Sequence, residues 1–114
     1  MTEDVVNLSA ETFGIASEGP WLLDFWAKWC GPCRALEPVL TQISAERQGI
    51  RVGKVDIGEE PELAARLDVA SVPTLLIMRD GRVVSRLHGA KTKRQLDRAL
   101  DQALGAPDGA TAPA

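Results

Sequence analysis

Two residues of this chain can exchange electrons, Cys30 and Cys33, and they are its only cysteines. Three positions apart, they fit on a single helical turn, where their sulfurs can bond in one redox state and separate in the other. A thiolate rather than a thiol is the nucleophile in such chemistry, and the unpaired N–H groups and positive dipole end of a helix N-terminus stabilise it. If Cys30 takes the N-cap position, its sulfur can accept a hydrogen bond from the N–H of Cys33, as a Ser or Asp oxygen would. Cys30 is then the attacking thiolate. Cys33, one turn further in, is the resolving thiol, and the reaction runs through a mixed disulfide. Gly31 and Pro32 separate the pair, and Pro32 costs nothing in a first turn, because the N–H it lacks has no helical partner there.

Other uses of the pair are weaker. A structural zinc site takes four ligands, whereas this chain offers no further Cys and a single His, His88. No metal is therefore expected. A disulfide spanning one turn closes too small a loop to stabilise a fold by much.

The elements that must hold the pair are legible on either side. Trp21-Leu22-Leu23-Asp24-Phe25-Trp26 is a nearly continuous apolar run of strand length, suited to a strand buried on both faces. Leu36, Val39, Leu40 and Ile43 recur at helical spacing and predict a long helix from about Cys33 to Gln48, kinked by Pro38. Upstream, Val5 and Val6 read as a short strand. A helix begins near Ser9, with Leu8 and Phe13 as a hydrophobic staple. Downstream come a strand over 51–57, a short helix over 61–67, a strand over 74–78, an Asp80-Gly81 hairpin turn and a strand over 82–87. The last helix opens on a capping box, Thr92 with Gln95, and ends at Gly105. The order βαβαβαββα predicts an α/β fold, a mixed central sheet of about five strands with about four helices on its two faces. The cysteines then stand at the C-terminal end of a central strand, where open α/β sheets place their sites.

Length and composition bound the rest. The chain has 114 residues, 45% hydrophobic and 25% charged, enough for one domain with its own core. Residues 1–105 are expected to form that domain, and 106–114, mostly Ala, Gly and Pro, a disordered tail. No run approaches membrane-spanning length and no apolar signal segment follows the acidic start, so a reducing cytoplasmic address is expected, where a cysteine pair is catalytic more often than structural. A net charge of −3 argues against a nucleic-acid partner. Residues 79–98 depart from that balance, with seven Lys or Arg against two Asp. They read first as a solvated edge strand and helix face, and second as a docking patch for acidic partners.

Asp24 interrupts the apolar strand six positions before Cys30. Alternation puts it on the face of Leu22 and Trp26, under the start of the long helix, where poor solvation raises a carboxyl pKa. It is either a proton acceptor for Cys33 or a strand-end Asp that bonds a turn. Lys54, the charge inside Val52-Gly53-Lys54-Val55, either leans toward Asp24 and tunes it or snorkels to water. Val72-Pro73 reads as a proline opening a strand, and by base rate only about 5% of such bonds are cis.

Trp29-Cys30-Gly31-Pro32-Cys33 after an apolar strand with an internal Asp resembles the active-site segment of the thioredoxin family. The resemblance runs from about Val5 to Leu104 and includes Asp24, Pro38, Lys54, Val72-Pro73-Thr74 and Gly89. It implies a protein-disulfide reductase, with Asp24 as the proton acceptor, no bound cofactor beyond the Cys30–Cys33 couple itself, and recharging by an NADPH-dependent thioredoxin reductase. It also implies a cis Pro73 facing the disulfide and a substrate groove framed by Trp29, Val72, Pro73, Gly89 and Ala90, where Gly89 permits close backbone approach. Substrates would be disulfide-containing proteins met by a monomer. Lys28 and Ser71 depart from the family's usual residues, and Lys28 with Arg34 would favour the Cys30 thiolate slightly. The alternative is a redox-independent binding module on the same fold. An oxidant or isomerase fits poorly with Gly31-Pro32.

Overall fold

A computed structural model describes residues 5–105; the tail expectation for 106–114 lies outside the described residues. Five strands form one sheet in the order β1-β3-β2-β4-β5: β1 Val6–Asn7, β2 Pro20–Trp26, β3 Arg51–Asp56, β4 Thr74–Arg79 and β5 Arg82–His88. β3 runs parallel to both β1 and β2, while β4 pairs antiparallel with β2 and with β5. The mixed sheet is therefore the expected one, with the apolar β2 at its centre.

Period-two alternation divides the core between the two faces of the sheet. Trp21, Leu23 and Phe25 of β2 and Leu76 and Met78 of β4 pack with Phe13, Leu63 and Ala64 on one face. Leu22 of β2 and Leu75 and Ile77 of β4 pack on the other with Leu36, Leu40, Ile43, Leu96 and Leu100. The helices supplying these residues are α1 Gly31–Glu46, α2 Pro61–Arg66 and α3 Lys93–Leu104. Gly53 in β3 is set by crowding. A Cβ there would stand 2.8 Å from Leu8 Cδ1 and 3.0 Å from Leu23 Cδ2, both buried side chains.

Several sequence expectations need correction. The described residues contain three α-helices, not about four, because the first helical segment is a 3-10 helix over Phe13–Ser17 whose N-cap is Thr12, without a side-chain cap. Ser9 instead builds a turn ahead of it: the Thr12 N–H donates to the Ser9 carbonyl and the Ser9 N–H to Thr12 Oγ1. Such local side-chain bonds compete with a full helix. α1 begins two residues earlier than the apolar periodicity indicates, since the cap and first turn carry no apolar stripe, and it ends at Glu46 instead of Gln48, where the Arg47 N–H closes on the Ile43 carbonyl. Pro38 lies inside α1. The α3 capping box forms as expected, with Thr92 Oγ1 accepting from the Gln95 N–H and Gln95 Oε1 from the Thr92 N–H. At the hairpin, Asp80 and Gly81 both take positive φ, 51° and 83°, as a two-residue turn of matching twist requires.

Candidate functional site

β2 delivers the chain to the C-terminal edge of the sheet, and four residues later Cys30 caps α1. The Cys33 N–H donates to Cys30 Sγ at 3.2 Å. The cap expected from the sequence is thus formed by sulfur, and Gly31 and Pro32 fill the first helical positions. Cys30 and Cys33 are joined as a disulfide, with Cα atoms 5.3 Å apart. Cys30 is 5% exposed and Cys33 2%. Ala27, Trp26, Ile57 and Val72 close around them as a small apolar cluster, joined through Ile57 to the core on the Phe13 face.

Asp24 is fully buried, and neither carboxyl oxygen has a hydrogen-bond partner. Burial pushes its pKa from 3.8 up to about 7; the nearby Lys54 charge pulls it down and the Glu37 carboxylate pushes it up. The carboxyl is poised to exchange a proton near neutrality. A turn-bonding role for Asp24 is excluded, since its oxygens bond no backbone donor.

Lys54 stands beside Asp24 in the β2–β3 register. Its amine forms no ion pair with Asp24, nor does it simply extend to water. Lys54 Nζ donates to Glu37 Oε2 at 2.8 Å and lies 4.4 Å from the centre of the Trp26 ring. Glu37 is the residue that sequence reasoning missed. The available signal was spacing: Cys33 and Glu37 are four apart in α1, on one helical face.

The other side of the sulfurs is built by the β4 entry. The Val72–Pro73 bond is cis, and Val72 packs on the cysteine cluster. The Gly89 N–H donates to the Pro73 carbonyl at 2.8 Å, which ties the end of β5 to this turn. Gly89 has φ +84°, and a Cβ there would meet nothing within 4 Å. The backbone conformation, not crowding within the chain, calls for glycine. Trp29 is 75% exposed and Ala90 is exposed, so both offer surface beside the buried sulfurs. A hollow of about 360 Å³ lies on the Trp26 side, between Lys54, Lys28 and Glu59, and neither sulfur lines it.

Charges around the site are largely engaged. Lys28 faces Glu59 at 3.6 Å with both side chains well exposed, and Arg34 donates to the Lys28 carbonyl at 2.8 Å. In the basic stretch, Arg79 donates to the Leu104 carbonyl, Arg86 to the Leu67 and Asp68 carbonyls, and Lys93 pairs with Glu46 and Asp97. These cations bind the chain to itself. His88 is exposed at the end of β5. No group of three or more His, Cys, Asp or Glu suited to a metal occurs among the described residues, and none of their helices is long and apolar enough to cross a membrane.

Comparisons with known proteins agree with this geometry. The family model described as thioredoxin matches residues 4–102. A thioredoxin of Mycobacterium bovis is 42% identical over 104 residues, covering 90% of each chain. A thioredoxin of Listeria monocytogenes is 46% identical over 87 residues, 75% of this chain and 84% of the relative. A bifunctional thioredoxin reductase/thioredoxin of Mycobacterium leprae is 39% identical over 105 residues, 91% of this chain but 23% of that longer protein. Among solved structures, a mutant thioredoxin of Halobacterium salinarum superposes with a TM-score of 0.82 at 28% identity, covering 88% of this chain and 90% of that one.

Proposed function

The chain belongs to the thioredoxin family and is a thiol-disulfide oxidoreductase whose redox couple is its own cysteine pair, and from that premise we propose a division of labour among its residues. Cys30, at the helix N-cap and beside the exposed Trp29, is the nucleophile. Its thiolate attacks one sulfur of a substrate disulfide; the S–S bond breaks, the other substrate sulfur leaves as a thiolate and takes up a proton, and a mixed disulfide remains. Cys33 then passes its proton to Asp24 and attacks Cys30 Sγ. The mixed disulfide breaks, the Cys30–Cys33 bond forms, and the substrate leaves with both sulfurs reduced. The observation that carries this assignment is the partnerless buried carboxyl of Asp24, held near pKa 7, where it can accept a thiol proton at neutral pH.

Substrate binding falls to the surface around the sulfurs. Trp29, Val72, Pro73, Gly89 and Ala90 form its rim, and the backbone at Val72 pairs with an extended substrate segment in strand fashion. Gly31 and Pro32 set the turn, and Lys54 tunes Asp24. Substrates are disulfide-containing proteins, and the fusion of a related domain to a thioredoxin reductase in Mycobacterium leprae supports an NADPH-dependent reductase as the electron donor. A cytoplasmic, monomeric carrier is the setting this chemistry suits.

The test is the redox equilibrium of the pair against glutathione, read by Trp fluorescence because Trp26 packs on the cysteine cluster and Trp29 adjoins it. A potential below that of the glutathione pool supports a reductase; one well above it means an oxidant or isomerase. Replacing both cysteines by serine abolishes disulfide reduction, whereas a redox-independent binding module would keep its partner.

A further inference from the structure

Lys54 is the cation nearest in register to Asp24, yet its amine is bonded elsewhere. An ammonium left to itself beside a partnerless buried carboxylate would be drawn to it. Here a carboxylate from a different element captures it first. Glu37, half-exposed on α1, receives Lys54 Nζ at 2.8 Å, and the same amine rests 4.4 Å from the Trp26 ring centre. Both Asp24 oxygens stay without a partner.

We infer that Glu37 is a positioning residue for the exchange reaction: it holds the Lys54 ammonium on the face of Trp26 and away from Asp24, so that the Asp24 carboxylate keeps a proton affinity high enough to take up the proton of a thiol. The inference rests on the role proposed above for Asp24 and explains how that role survives a lysine in the neighbouring strand. Around Asp24, β3 contributes Lys54 and α1 contributes Glu37, while β4 sets uncharged Leu75 opposite it; in the reaction proposed above, Cys33 is the thiol whose proton it takes. Glu37 acts in two ways that reinforce each other. Its negative charge disfavours a second anion nearby, and its hydrogen bond consumes the cation that would otherwise favour one.

The experiment titrates the Asp24 carboxyl by carbon NMR in the oxidised protein, comparing wild type with Glu37→Gln, Lys54→Met and the double variant. Glu37→Gln sits on an exposed helix face and leaves the core untouched. It is expected to lower the Asp24 midpoint by about one pH unit, and the pH profile of mixed-disulfide release follows it downward. In the double variant, with no ammonium to release, the midpoint returns at least to the wild-type value. An unchanged or raised midpoint in Glu37→Gln overturns the inference, as does a double variant that titrates as low as the single one. The catalytic role of Asp24 is tested separately: an Asp24→Asn variant that releases substrate at the wild-type rate would end that reading while leaving the titration result standing.

Discussion

Replacing Asp24 with Asn should remove one component of the pH dependence of stability, with a size that follows from the burial of this carboxyl. In the folded protein its pKa is about 7, against 3.8 ordinarily. The sign follows from which state holds the proton. Below 3.8 the folded and unfolded chains both carry it, and burial of the neutral acid costs no ionisation energy. Between 3.8 and about 7 the unfolded chain releases its proton while the folded one keeps it, so every rise in pH favours unfolding. Above 7 the folded carboxyl ionises as well and the cost levels off. At ~1.4 kcal/mol for each tenfold change in acidity constant, the full cost is about 4 kcal/mol, a large fraction of a domain's net stability. Asparagine keeps the shape and removes the titration, so the wild-type-minus-variant difference isolates the carboxyl. Denaturant unfolding of the oxidised proteins, followed by Trp fluorescence, should show the variant gaining about 4 kcal/mol on wild type between about pH 4 and about pH 8. The same variant should slow release of the mixed disulfide more than its formation. A stability difference that is constant across this range, or that changes in the opposite direction, would refute the account of Asp24 as a carboxyl held neutral by burial.

Two further changes test the scaffold. Gly53→Ala forces a methyl group against Leu8 and Leu23 and should cost about 1 to 3 kcal/mol in chemical denaturation. A variant as stable as wild type would mean that these leucines repack freely. Arg47 bonds Asp97 at 3.0 Å and Asp101 at 2.7 Å, tying the end of α1 to α3. Burial pushes the Asp97 carboxyl up, but the hydrogen bonds and positive charges of Lys93 and Arg47 together outweigh it and hold the group below its ordinary range. That contribution is present above the ordinary carboxylate pKa and is lost as pH falls through the lowered one. Arg47→Gln should therefore cost about 1 to 2 kcal/mol near neutrality, and the gap to wild type should narrow in acid. A gap that persists unchanged in acid would assign the effect to packing of the arginine stem.

Much of the site was legible because its chemistry is local. The cysteine spacing, the proline in the first turn and the apolar strand before them are neighbours in the chain, and together they specify a sulfur cap that needs no distant contact. The same holds for the Thr92–Gln95 box and the Asp80-Gly81 turn. The failures came where local preferences compete. Ser9 and Thr12 satisfy each other's backbone in a turn and leave only a 3-10 segment where the staple pattern suggested a helix. The start of α1 lay outside the reach of hydrophobic periodicity, because its first turn packs against solvent and sulfur.

From the sequence alone come the redox couple, the sulfur cap at the start of the long helix, the α/β order of elements and the placement of Asp24 on the face beneath that helix. Each depends on neighbours along the chain, where covalent geometry limits the choices. Only the tertiary structure decided what Lys54 does. Spacing within β3 left it between Asp24 and water, and the sheet places it beside the first of these. The outcome turned on Glu37, seventeen residues away on α1, whose carboxylate reaches the amine first once helix and sheet are packed. Charge pairing between elements acts through distance and burial, and neither quantity is written in the order of residues.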